Sequence, residues 1–310
     1  MKLRKILCPT DFSEFSRRAL AHAMTLARVH GAELTVLHAY PRVVVDVAGG
    51  GAPYLGSDVT FGAGERSRLH AELEQAAALA RAAGVKTSTV LVEGDPSDEI
   101  LKWTRAARPD LVVVGTHGLR AFDRWILGSV AYRIVQKAPC DVLTVPHPPE
   151  GAPEATSLGE RVLCPVDLEE SAATVDAAFS IVEASEGRLV LLHVLEDLGQ
   201  YQAATGLARV DWEAFRGSLE QDAVRRLCTA ARRNGHDVGA ESVVVSGKPY
   251  REILKAAGSR DASLIVMGVH GRNPIERLFF GSTALHVLRQ ARCPVWIVRA
   301  PARLTRDAAA

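Results

Sequence analysis

Two stretches of this chain set glycines, a histidine and a hydroxyl at matching intervals. Gly115-Thr116-His117-Gly118 is followed after nine residues by Gly128-Ser129-Val130, and Gly268-Val269-His270-Gly271 is followed after nine by Gly281-Ser282-Thr283. Glycines carry no Cβ, so the backbone can turn tightly and approach a bound group closely. A helix opening at the second glycine would present unpaired N–H groups and the positive end of its dipole, a combination that suits phosphate oxygens. Ser129 and Ser282 add a hydroxyl at that turn. A lone glycine pair would be a weak signal. The repeated spacing is specific, and successive N–H groups in such loops build anion nests. His117 and His270 either donate to a phosphate or orient the turn through a backbone partner. Arg120, Arg124, Arg272 and Arg277 carry the paired donors that phosphate takes, but as loop arginines they read first as solvated.

The spacing belongs to a longer repeat that runs through the chain. Ile6-Leu7-Cys8-Pro9-Thr10-Asp11 returns as Val162-Leu163-Cys164-Pro165-Val166-Asp167, and Val36-Leu37-His38-Ala39 returns as Leu191-Leu192-His193-Val194. Glu99-Ile100-Leu101-Lys102 likewise returns as Glu252-Ile253-Leu254-Lys255. Between the copies lie Pro146, Pro148, Pro149 and Pro153, which lack the donors a helix or central strand needs. The expected organisation is a first domain over 1–146, a linker over 147–159, a second domain over 160–300 and a tail over 301–310.

Within each copy, β-branched runs alternate with helical periodicity, the pattern of a parallel sheet with crossover helices. In the first copy, strands are predicted near Lys5 to Cys8, Glu33 to His38, Lys86 to Val92, Leu111 to Val114 and Val142 to Val145. The second copy has matching elements and ends with Val295 to Val298. Ser13 is placed to cap the first helix, Leu20, Ala23, Met24 and Ala27 share a face, and Gly31 is placed to stop it. In a doubly wound sheet, ligands sit beyond the carboxyl ends of strands where strand order reverses. That rule would bring Asp11 and Gly115 to one crevice, with Asp167 and Gly268 at its counterpart. His38 and His193 read as packing or capping groups. The segment from Val43 to Gly64 holds too many glycines for a regular element and reads as a mobile surface loop, a lid over the first site being the alternative.

Composition narrows the field further. The 310 residues suit two domains, and 47% hydrophobic with 24% charged residues is ordinary for a folded protein. The 37 basic residues almost cancel the 36 acidic ones, which gives no general field for nucleic acid or an anionic membrane. Pro9-Thr10-Asp11 interrupts the apolar start before a signal-peptide core forms, so a cytoplasmic protein is expected. Cys8, Cys140, Cys164, Cys228 and Cys293 form no CxxC pair and read as small buried groups in a reducing compartment. Trp103, Trp125, Trp212 and Trp296 share no spacing and read as core or interface residues.

The pattern G-x2-G-x9-G-[ST], joined to an early strand ending in Pro-x-Asp, resembles the ATP-binding branch of the universal stress protein family across nearly all of both halves. The resemblance implies an α/β fold: two tandem five-stranded parallel-sheet Rossmann-like (adenine nucleotide alpha hydrolase-like) domains forming a pseudo-dimer through their last strands, Asp141 to Val145 against Pro294 to Val298. Carried over by residue, it implies ATP contacts from Pro9, Asp11, Ala39, Val114, Gly115, Gly118, Gly128, Ser129 and Val130. The second set is Pro165, Asp167, Val194, Met267, Gly268, Gly271, Gly281, Ser282 and Thr283. The loop histidines His117 and His270 join these as candidates.

There is no GxxxxGK[ST] loop, since Gly247-Lys248 lacks the following Ser or Thr, and no GxGxxG, HExxH or GxSxG motif. The leading expectation is an ATP-binding regulatory protein of the stress response with slow or no hydrolysis and an unknown regulatory partner. The alternatives are an ATPase or phosphotransferase in which Asp11 or Asp167 helps hold magnesium, and a nucleotide-free interaction scaffold. A homodimer of the whole chain is compatible with each.

Overall fold

Ser13 starts the first helix by accepting the Ser16 N–H with its hydroxyl at 3.2 Å, and Gly31 ends it in the left-handed conformation at φ 64°. This helix, α1 (Glu14–His30), buries Leu20, Ala23, Leu26 and Ala27, while Met24 is half-buried. The computed structural model describes residues 2–41, 63–116, 127–146, 158–168, 172–196, 212–232, 239–268 and 281–299. Residues 43–62, 117–126 and 269–280 therefore lie outside the description, and with them the glycine-rich segment except Ala63 and Gly64, which open a helix rather than continue a loop.

The chain divides into two compact units, residues 2–147 and residues from 148 onward. The first contains β1 (Lys5–Pro9), α1, β2 (Glu33–Tyr40), α2 (Ala63–Ala82), β3 (Thr87–Glu93), α3 (Pro96–Ala107), β4 (Leu111–Gly115), α4 (Ser129–Lys137) and β5 (Asp141–Val145). Its strands pair in the order β3-β2-β1-β4-β5, all parallel. The second contains β6 (Arg161–Pro165), α5 (Ala172–Ser185), β7 (Arg188–Leu195), α6 (Trp212–Arg232), β8 (Ala240–Ser246), α7 (Pro249–Ser259), β9 (Leu264–Gly268), α8 (Ser282–Gln290) and β10 (Val295–Val298). Its order, β8-β7-β6-β9-β10, repeats the first, again all parallel.

The predicted strands all form, the last with the expected bounds Val295–Val298 and others with ends displaced by a residue or two: Lys86 precedes β3, and Pro9 and Gly115 complete β1 and β4. Sequence periodicity could not place these ends, because strand ends depend on which neighbour supplies a hydrogen bond. Central strands read as unbroken apolar runs because helices cover both faces. Leu7 and Cys8 of β1 and Val112 and Val113 of β4 are fully buried, as are Leu191 and Leu192 of β7 and Val266 of β9. Trp296 is likewise fully buried, which fits a core role. In each unit the order reverses where the chain passes from one side of the first strand to the other. In the first unit that point lies between β1 and β4, and in the second between β6 and β9.

Candidate functional site

The Leu7 to Val112 register, carried on two residues, sets Pro9 level with Val114 at the carboxyl ends of β1 and β4. Beyond Pro9 the chain is held by a local polar network. The Thr10 N–H donates to Leu37 O at 2.8 Å, and its buried hydroxyl donates to Ser16 Oγ at 3.0 Å while accepting the Phe12 N–H at 3.1 Å. Asp11 Oδ1 accepts from both the N–H and the hydroxyl of Ser13, at 3.1 and 2.6 Å. These bonds form an Asx turn that fixes the carboxylate at the start of α1. Phe12 takes the left-handed conformation at φ 63° and lays its ring 4.4 Å from that of His38. His38 is buried, and its Nδ1 donates to Thr10 O at 2.7 Å; a carbonyl only accepts, so Nδ1 carries the hydrogen. The expected structural role of His38 is thus what the geometry gives.

Gly115 closes β4 under α1. A Cβ there would lie 3.0 Å from Phe15 O and 3.1 Å from Phe15 C, both backbone atoms. The Thr116 N–H then donates to Val145 O at 3.0 Å, and the Gly128 N–H donates to Thr116 O at 2.7 Å. The second bond draws the start of α4 back to the end of β4. Gly128 is the N-cap of α4 and, as a glycine, supplies no side-chain hydrogen bond to the leading N–H groups of the helix. Ala39 and Val114, both buried, supply the apolar ends of β2 and β4. His117, Gly118, Arg120 and Arg124 lie outside the described residues.

The second unit builds the same frame from different side chains. The Val166 N–H donates to Leu192 O at 2.8 Å, and buried His193 donates from Nδ1 to Val166 O at 2.9 Å, matching His38. Asp167 follows Pro165 and Val166 at the end of β6, half-buried. Among the described residues, a Cβ on Gly268 would meet the Thr174 hydroxyl, at 3.2 Å. Gly281 caps α8 without a side-chain bond, and Ser282 and Thr283 form its first turn. Val194 and Met267 are the buried apolar counterparts of Ala39 and Val114. His270, Gly271, Arg272 and Arg277 lie outside the described residues.

The structure also places residues to which sequence reasoning assigned no role. Thr10 and Ser16 join the expected cap, Ser13, in one hydroxyl cluster under the Asp11 turn, and the spacing of three residues was the available signal. Arg133 of α4 reaches the start of α3, donating to Ser97 Oγ at 2.7 Å, Asp98 Oδ1 at 2.7 Å and Asp95 Oδ1 at 3.3 Å. This clasp positions α4 against α3. The Ser97 hydroxyl above all, with the Asp98 N–H and Arg133, holds the Asp95 carboxyl below its ordinary range despite some desolvation. In the second unit His286 of α8 stacks on Tyr250 of α7 at 4.5 Å instead. Burial pushes the thiols of Cys8 and Cys164 up to about 12, so both stay protonated near neutral pH. Among the described residues, no three His, Cys, Asp or Glu side chains gather as a metal-holding group, and no helix is long and apolar enough to cross a membrane.

These features define a doubly wound α/β domain, present twice, with a crevice at each strand-order switch point. The sequence profile of the Universal stress protein family matches residues 2–146 and again 159–299. The chain belongs to this family and carries two of its domains in tandem. A universal stress protein of Mycolicibacterium smegmatis is 29% identical over 306 residues, covering 95% of this chain and 96% of that protein. A single-length relative from Thermus aquaticus is 36% identical over 142 residues, 46% of this chain and 98% of the relative. The crystal structure of a universal stress protein from Archaeoglobus fulgidus superposes with a TM-score of 0.68 at 24% identity, covering 96% of this chain and 99% of that one, which speaks to the fold alone.

Proposed function

We propose that each domain binds one molecule of ATP and that the occupied state acts as a signal in the stress response, with slow or no hydrolysis. One observation carries this reading: each unit has a glycine ending a central strand and a glycine as the N-cap of the next helix, with no side-chain bond from that cap to the leading N–H groups, and in the first unit the Gly128 N–H draws the two together through Thr116 O. Triphosphate oxygens suit that helix end, and the carboxylate of Asp11 or Asp167 across the crevice suits the sugar or base. Pro9, Ala39 and Val114 then form the apolar wall of the first site, with Pro165, Val194 and Met267 in the second. Gly118, Gly271, His117 and His270 complete the phosphate loops in this reading. Magnesium would arrive with the triphosphate, and the fixed orientation of Asp11 Oδ1 on Ser13 suits a carboxylate that approaches such an ion from one side.

The domains run over 1–146 and 160–300, joined by the linker 147–159 and followed by the tail 301–310. In our reading β5 and β10 pair within the chain to make a pseudo-dimer, which itself can dimerise, in the cytoplasm and without a nucleic-acid or membrane partner. The regulatory partner is a protein that distinguishes the occupied from the empty state.

The test is the identity and stoichiometry of nucleotide in freshly purified protein, released by denaturation and separated by chromatography. ATP near two per chain is expected. ADP in its place would move the reading to an ATPase or phosphotransferase. Protein that holds no nucleotide and binds none when ATP is added would leave an interaction scaffold. Slow amide exchange across residues 141–145 and 295–298 is expected for paired strands, and fast exchange there would refute the pseudo-dimer.

A further inference from the structure

At the opposite end of the first sheet from the β1 and β4 carboxyl ends, a pocket of about 660 Å³ opens between the start of β1, the end of α3 and the start of β4. Arg4, Lys5, Arg105 and Arg108 line it, and Asp110 is the one acid in its lining. Asp110 is already committed, because its Oδ2 accepts the N–H groups of Arg4 and Lys5 at 2.7 and 2.9 Å. None of the four cations makes an ion pair among the described residues. Lys5 alone has a longer-range neighbour of opposite sign, Glu33, whose closer partner is Lys86.

Cations at the end of α3 have an ordinary explanation, the negative end of the helix dipole. The second unit serves as an internal control for it. There the corresponding positions are Glu160, Arg161, Gly258, Asp261 and Ser263, aligned by the start of β6 and β9 and by the left-handed residue after the helix, Asp261 at φ 47° against Arg108 at φ 49°. The strand starts and the left-handed residue are thus shared, and the charge is reversed at two positions. α7 ends one residue earlier than α3, on Arg260 as its C-cap, and has no basic residue within its last turn. Both cations there are engaged: Arg161 donates from Nε to Asp261 O at 2.6 Å and lies 4.0 Å from Glu160, and Arg260, at the place of Ala107, pairs with Glu241 at 2.8 Å. The same strand start and left-handed residue therefore form with Glu160 and Asp261 in place of Arg4 and Arg108, so the fold does not require all four cations of the cluster.

We propose that this pocket is a binding site for a small polyanion bearing clustered phosphates, separate from both crevices. Its volume lies in the range of small-molecule sites, about 300–1,000 Å³. Three guanidinium groups supply the paired donors that phosphate takes. A small ligand fits better than a nucleic acid, because the chain as a whole is almost neutral, with 37 basic and 36 acidic residues.

Inorganic pyrophosphate is the probe, titrated calorimetrically into the full chain and into a chain carrying Arg4→Glu with Arg108→Asp, the residues the second unit carries at these places. The expected result is a salt-sensitive pyrophosphate site that weakens by roughly tenfold or more per lost charge-assisted contact, with the unfolding midpoint unchanged. Arg105→Gln, an exposed change that leaves the strand start untouched, should weaken the same site by a smaller factor. Pyrophosphate binding of equal strength in the wild type and both variants would overturn the proposal, as would no binding to the wild type. A single-stranded oligonucleotide that binds more tightly than pyrophosphate, and is lost in the same variants, would overturn the small-ligand assignment.

Discussion

Replacing Gly128 by aspartate sets two demands on the start of α4 against each other. Gly128 sits at φ −55° and ψ 145°, a region open to any L-residue, so the substitution brings no backbone strain. An N-cap aspartate accepts a leading N–H of the helix and stabilises it by a few tenths of a kcal/mol, up to about 1 kcal/mol, relative to glycine. A phosphate seated on the same N–H groups would meet that carboxylate. At roughly 4 Å and an effective dielectric near 20, one pair of like charges costs about 4 kcal/mol, or on the order of a thousandfold in Kd. Thermal unfolding of nucleotide-free protein and ATP titration calorimetry read the two effects separately. The expected outcome is a slightly higher unfolding temperature with ATP stoichiometry falling from two per chain to one, and Gly281→Asp should remove the other site. Gly128→Asn caps without charge and should cost far less affinity. A stabilised Gly128→Asp variant whose ATP affinity stays within about threefold of wild type would refute the placement of phosphate at α4.

Gly115→Ala should destabilise the first domain by about 1–3 kcal/mol in denaturant unfolding, since the new Cβ meets the Phe15 backbone at 3.0 Å. Asp95→Ala removes the cap bond to the Asp98 N–H at 3.0 Å and should cost about 1 kcal/mol at neutral pH. The folded carboxyl lies below its unfolded value, so this contribution is present above the unfolded carboxylate range, near pH 4, and is lost as pH falls through the folded value; the wild-type and Asp95→Ala stabilities should converge in acid. Cys8 and Cys164, buried with thiols near 12, should resist alkylation at pH 8 in the folded chain and react fully in denaturant, as mass spectrometry would show.

Most of the frame could be read from the sequence because the signals were local or duplicated. Ser13 and Gly31 bound α1 by their own chemistry, and the repeated glycine spacing marked the ends of β4 and β9 and the starts of α4 and α8. What could not be read depends on contacts between distant segments. That Gly115 is a glycine because Phe15 of α1 crosses it appears only once β4 lies under α1. The Arg133 clasp joins residues more than thirty positions apart, and neither side carries a motif. The basic pocket draws on Arg4 and Arg108, which are more than a hundred positions apart and share no motif.

Comparing the two copies separates what the backbone requires from what each site has acquired. Gly94 and Gly247 keep φ near 150°, at 149° and 151°, and each carries a glutamate, Glu99 or Glu252, folded over the place a Cβ would take. The residue that follows does not persist: Asp95 caps α3 with its side chain, whereas Lys248 at the start of α7 makes no such bond. The same split governs the crevices. His38 and His193 hold the same carbonyl position in both, while the hydroxyl cluster of Thr10, Ser13 and Ser16 gives way to Val166 and Ala172 at the corresponding places of the second copy. The crevice geometry is therefore set by main-chain bonds and glycines, which both copies keep. Affinity and exchange rate are set by side chains free to diverge, so two sites on one backbone frame would differ in how tightly and how long they hold a ligand.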